Sequence, residues 1–136
     1  MEQVLINIGA SILGILGMVH FSYTFFTNKF AANDSDVTKA MMATSPILTK
    51  ETTVWDAWIG FNASHSLGLI LFSAMYIPLL INHFDVIVNS IWFTFLPVFF
   101  GLSYMILAKR YWFNIPFVGI TVSTVCFLIA AILIRL

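Results

Sequence analysis

The amino-acid sequence predicts an all-α integral membrane protein, a bundle of four antiparallel helices in up-down order with one longer, partly helical first loop. Three observations carry that prediction. The 136 residues are 60% hydrophobic and 9% charged, with a mean hydropathy of +0.97, well outside the range of soluble domains. All the acids (Glu2, Asp34, Asp36, Glu51, Asp56, Asp85) and all the bases (Lys29, Lys39, Lys50, Lys109, Arg110, Arg135) gather around the ends of long apolar runs. Each run exceeds the roughly 20 residues a helix needs to cross a hydrocarbon core about 30 Å thick.

The first helix is expected from Val4 to Phe26. It lacks a basic segment before its apolar stretch and a small-x-small cleavage site after it, so it is read as a retained span. A polar connection, Asn28 to Val54, follows. Within it Asp34 or Ser35 can cap a short helix with Val37, Ala40, Met41 and Met42 on one side, and Ser45-Pro46 would stop it. Such a helix suits the membrane surface, with a lid over a site as its functional alternative. The second span is expected from Trp55 to Ile81, its tryptophans at the interface. Asn82 to Asp85 leave room only for a tight turn into a third span from Val86 to Ala108, whose Phe93, Phe95, Phe99 and Phe100 offer an apolar outer face. Lys109 and Arg110 mark the next turn, and the fourth span runs from Tyr111 to Ile134. Pro78, Pro97 and Pro116 are tolerated in such helices, with a kink expected mainly at the interior Pro97. The whole chain reads as one transmembrane domain.

Loops one and three carry five of the six bases, and the positive-inside rule makes that side cytoplasmic, with both termini outward. This is the orientation expected of a multi-pass protein of a cell membrane. A net charge of +0 and the absence of a basic face exclude nucleic acid as a partner. A single cysteine, Cys126, rules out an intramolecular disulfide and reads as an apolar thiol inside the last span. No carboxylate or lysine falls in the interior of a span, Asp56 standing at the very start of the second, and no nucleophile elbow or zinc-protease motif is present. Catalysis therefore has no sequence support, and the reading leans away from an enzyme.

Away from the ends of the spans, histidine is the one residue that can change its charge near neutral pH. His20 and His65 lie at similar depths, within about 15 Å of the cytoplasmic ends of their helices at about 1.5 Å per residue. Asn62 is one turn from His65, while Ser103, Tyr104 and Asn114 fall in the same half of the membrane. On the second helix Trp55, Trp58, Asn62, His65, Leu69, Phe72 and Tyr76 recur at intervals of three and four, beside a small-residue stripe of Gly60, Ser64 and Gly68. On the first, Ala10, Gly14 and Gly17 form another such stripe beside His20 and Thr24, which allows close approach and brings the histidines inward. His83 sits in the opposite turn and reads as interfacial.

Two kinds of role fit this pattern. Polar residues beside small-residue stripes serve as interhelical glue, with His20, Asn62 and His65 bonding one another or a backbone carbonyl. Alternatively His20, Asn62, His65, Tyr104 and Asn114 line a polar intramembrane pocket for a lipid-soluble small molecule, in a non-catalytic binding, accessory or assembly role. Further alternatives are a redox protein binding haem b or a quinone through His20 and His65, and a small transporter or channel. A metal ion is the weakest ligand, because two imidazoles alone leave the coordination shell incomplete. The partners expected are membrane lipids and either further copies of the chain or other subunits of a membrane complex.

The stretch G-M-V-H-F-S-Y-T-F at Gly17 to Phe25, followed by W-D-A-W-I-G-F-N-A-S-H-S-L-G at Trp55 to Gly68, resembles a pattern in small bacterial four-helix membrane proteins of unassigned activity. The resemblance covers chiefly the first half of the chain. It implies a bacterial multi-pass protein and directs attention to His20, Asn62 and His65, but it supplies no reaction.

Overall fold

A computed structural model describes residues 1–136 as six helices: α1 (Glu2–Phe26), α2 (Ser35–Ala43), α3 (Val54–Asn82), α4 (Phe84–Asn89), α5 (Ile91–Tyr111) and α6 (Asn114–Arg135). Of these, α1, α3, α5 and α6 are long and apolar enough to cross a membrane. Only 28–33% of the most apolar stretch of each is buried against protein, so most of a strongly apolar surface faces outward. Phe61, Met75, Ile91 and Ile115 are among the side chains so exposed. In water that surface would drive aggregation; against lipid tails it is matched to its solvent. The chain is an all-α, multi-pass membrane protein.

The chain divides into two compact units, Met1–Leu16 with Leu69–Leu136, and Gly17–Gly68. In the first, small residues let helices touch. A side chain on Gly9 would strike the Phe127 ring at 2.6 Å, and one on Gly14 would meet Ser73 at 3.0 Å. Serine hydroxyls cross the same contacts: Ser73 Oγ donates to the Ala10 carbonyl at 2.6 Å and Ser123 Oγ to the Gly9 carbonyl at 2.8 Å. An aromatic stack fills the interior, with Phe72 4.6 Å from Tyr76 and 4.2 Å from Phe100 between ring centroids. Phe100 thus turns inward, whereas Phe99 is exposed as the sequence suggests. Tyr76 donates its hydroxyl proton to the Phe93 carbonyl at 3.1 Å, which gives a buried phenol its partner.

The third span departs from the sequence expectation. Instead of one helix from Val86, the short α4 ends at Asn89, Ser90 takes extended backbone angles, and α5 begins at Ile91. Asn and Ser compete with helical bonding through their own side chains, and Ser90 caps α5 by accepting from the Phe93 N–H at 3.4 Å. Thr94 closes the break. Its hydroxyl lies 2.7 Å from the Ile87 carbonyl and 2.9 Å from that of Ser90, and it accepts from the Arg135 guanidinium. Likewise α6 starts at Asn114 rather than Tyr111, because Trp112 and Phe113 are extended. Pro116 then occupies the first turn of α6, where a missing N–H breaks no helical bond. Both Pro78 and Pro97 lie inside continuous helices.

In the second unit the polar connection is ordered around α2. Asp34 caps it by accepting from the Asp36 N–H at 2.9 Å, and the helix stops at extended Thr44, two residues before Pro46. No residue of α2 is buried, and Val37 and Met42 on its apolar side are half exposed. The Val54 N–H donates to the Thr44 carbonyl at 2.9 Å, which closes the segment between them into a loop. Gly60 and Ser64 do not serve the packing the sequence suggests for them. Ser64 is exposed, and a side chain built on Gly60 would meet nothing within 4 Å.

Candidate functional site

On α3, Trp58, Asn62 and Ser66 follow one another at intervals of four, so each side chain can reach the backbone of the turn before it. Asn62 Nδ2 donates to the Trp58 carbonyl at 2.8 Å, and Ser66 Oγ donates to the Asn62 carbonyl at 3.0 Å. The first of these bonds orients the amide: with Nδ2 directed back along its own helix, Oδ1 is presented to α1. There His20 Nε2 lies 3.1 Å away. An amide oxygen can only accept, so His20 must carry its proton on Nε2 and donate it. Thr24 Oγ1 in turn bonds the His20 carbonyl at 2.9 Å, one turn further along α1.

The two imidazoles are neighbours, with ring centroids 5.3 Å apart and planes tilted by 44°. His20 and Asn62 are buried, at 9% and 6% exposure, and His65 is half-buried. Together they place imidazole and amide groups side by side within helices of mean hydropathy 2.0 and 1.7. Neutral imidazole supplies one donor and one acceptor, and it is the His20 donor that Asn62 engages.

A residue that sequence reasoning missed completes the cluster. After α1, Thr27 Oγ1 bonds the Tyr23 carbonyl at 2.8 Å and accepts from the Lys29 N–H at 3.2 Å, and the chain then reverses through a turn closed by Ala31 N–H to the Asn28 carbonyl at 3.0 Å. Phe30 stands in that turn. Its ring lies 4.7 Å from the His20 ring and 6.3 Å from Trp58, edge-on to the latter. Trp58 Nε1 donates to the Phe30 carbonyl at 3.0 Å. Nothing in the spacing of a loop phenylalanine announces such a contact.

Tyr104 and Asn114 belong to the other unit, where Tyr104 stacks on Phe100 at 4.7 Å and Asn114 is the exposed first residue of α6. Ser103 is exposed and bonds the Phe99 carbonyl at 2.8 Å. His83 is exposed just before α4, and Cys126 is half-buried.

Two imidazoles without a nearby thiolate, carboxylate or third histidine do not form a metal shell, and no group of three or more His, Cys, Asp or Glu gathers in the chain. Nor does the arrangement fit a haem. Axial ligation needs lone pairs from both rings aimed at one iron across a porphyrin, whereas these rings are direct neighbours and His20 Nε2 is turned to Asn62. No protein-family model, curated protein or solved structure matches the chain. It is placed by its own physics alone, as a multi-pass α-helical membrane protein.

Proposed function

We propose that this chain is a small, non-catalytic ligand-binding protein of a bacterial inner membrane, holding the polar head of a lipid-soluble molecule, quinone-like or lipid, at His20, Asn62 and His65. The observation that carries the reading is the amide of Asn62, oriented by its own helix to fix the protonated nitrogen of His20 while His65 lies 5.3 Å from that ring. A carbonyl or hydroxyl head group entering hydrocarbon needs partners of this kind, and ionisable or amide side chains at such depth are costly unless they are used. The bacterial setting rests on the resemblance of the Gly17–Phe25 and Trp55–Gly68 stretches, and assembly into a homo-oligomer belongs to the same reading.

Titration with a short-chain quinone, followed by quenching of tryptophan fluorescence, tests it, because Trp58 adjoins the cluster. Saturable quenching is expected, weakened about fivefold or more by Asn62→Leu or His65→Ala, the loss that corresponds to about 1 kcal/mol per hydrogen bond. A lipid ligand would instead co-purify with the wild type and be lost from both variants, as read by mass spectrometry of extracts. If the cluster is interhelical glue alone, neither ligand binds, and the substitutions lower stability by about 1–3 kcal/mol with no other effect.

A further inference from the structure

The first loop does more than connect α1 to α3. Its turn at Asn28–Ala31 directs Phe30 back onto His20, and three contacts hold it there: ring against imidazole at 4.7 Å, ring edge-on to Trp58 at 6.3 Å, and the Trp58 indole N–H on the Phe30 carbonyl at 3.0 Å. Further along, the Ala32 N–H donates to Thr38 Oγ1 at 3.1 Å, which ties the turn to α2. The outer side of the same loop is held by little. α2 buries no residue, and Ile47 and Leu48 are fully exposed. Apart from the Thr44 carbonyl, bonded at 2.9 Å to the Val54 N–H where the segment joins α3, its firm contacts are at the inner tip, so it can swing out about that joint by breaking the tip, since regions with few buried contacts open at low free-energy cost.

We infer that residues 27–53 form a latch, with Phe30 as its bolt over His20 and the Trp58–Phe30 hydrogen bond as its catch, so that the imidazole is reached by a water-borne reagent only when the latch is released. That the latch admits a ligand rests on the function proposed above; that it shields His20 does not, and the two are tested separately. The catch joins a side chain at the head of α3 to a backbone carbonyl, so its strength does not depend on the identity of the loop residue. Phe30, in contrast, acts through its ring.

Carbethoxylation of histidine by diethyl pyrocarbonate, mapped residue by residue by mass spectrometry on the intact protein in lipid nanodiscs, measures the shielding without any ligand. Trp58→Phe keeps the ring and removes the donor, and is expected to raise the His20 modification rate about fivefold, the population change that matches loss of one ordinary hydrogen bond. Phe30→Ala is expected to raise it further, and Phe30→Leu to fall between the two variants. The exposed His83 serves as the internal reference, and its rate is expected to stay constant. Equal His20 rates in the wild type, Trp58→Phe and Phe30→Leu would overturn the latch even if Phe30→Ala failed to fold. A parallel rise at His20 and His83 would overturn it too, as general loosening. Loss of quinone or lipid binding in the preceding assay, with these rates as expected, would leave the latch in place and remove only its ligand.

Discussion

Asn62 satisfies two helices with one side chain, donating along α3 and accepting across from α1. Its replacement by Leu keeps volume but takes the acceptor from His20 Nε2–H, and is expected to cost about 1–3 kcal/mol, read from unfolding in a denaturing-detergent titration. In a double-mutant cycle His20→Ala and Asn62→Ala should couple by roughly 1 kcal/mol, because partners in one network are not additive. Glycines provide a second contrast of single residues. Gly9→Ala must displace the Phe127 ring, which a Cβ would approach to 2.6 Å, and is expected to destabilise by about 1–3 kcal/mol, as overpacking does. Gly60→Ala meets nothing within 4 Å and should leave stability unchanged or raise it slightly in the same titration.

Among the elements, the break between α4 and α5 is the place where a single hydroxyl joins three segments. Thr94 reaches the carbonyls of Ile87 and Ser90 and receives the Arg135 guanidinium, so α4, α5 and the end of α6 meet at one atom. Thr94→Val preserves shape and removes all three contacts. It is expected to lower stability by about 1–2 kcal/mol and to speed amide exchange at Ile87–Ser90 specifically, whereas Thr121→Val, whose hydroxyl bonds only the Phe117 carbonyl of its own helix, should do neither. The break was not legible in the sequence. Val86 to Ala108 carries no charge, its polar side chains Asn89, Ser90, Thr94, Ser103 and Tyr104 are all of kinds that membrane helices accept, and hydropathy, which registers burial in lipid, does not register a change of backbone direction. The short α2 was legible, because a cap at Asp34 and a stop before Pro46 are chemical signals that act locally.

For the molecule as a whole, charge distribution sets the expected orientation. With Cys126 replaced, cysteines at positions 39 and 109 should resist an impermeant reagent applied to intact cells, and labelling at 39 would reverse the assignment. Exposure of Gly60 and Ser64 leaves a small-residue face of α3 uncovered within the chain, so native mass spectrometry in mild detergent is expected to show a homo-oligomer that Gly60→Leu shifts toward monomer. That four helices are long and apolar enough to cross a membrane was legible because the bilayer sets a minimum length and an apolar composition for every crossing helix. The neighbourhood of His20, Asn62 and His65 was legible in part, since equal depth on consecutive helices and a face shared at intervals of three and four bring side chains together. Phe30 was not, because a turn obeys local dihedral choices that leave no periodic trace.

The serine hydroxyls on the Gly9 and Ala10 carbonyls have a mechanical consequence. Consecutive carbonyls diverge by about 100° around a helix, so Ser123 and Ser73 grip α1 from two sides at one level. A partial stroke of α1 would break both bonds where no water replaces them, and a full turn of about 5.4 Å, which offers the serines new carbonyls, would set a larger residue in place of Gly9 against the Phe127 ring. Such a helix behaves as a keyed shaft: it can bend beyond the key, but it does not carry a signal by sliding along its axis.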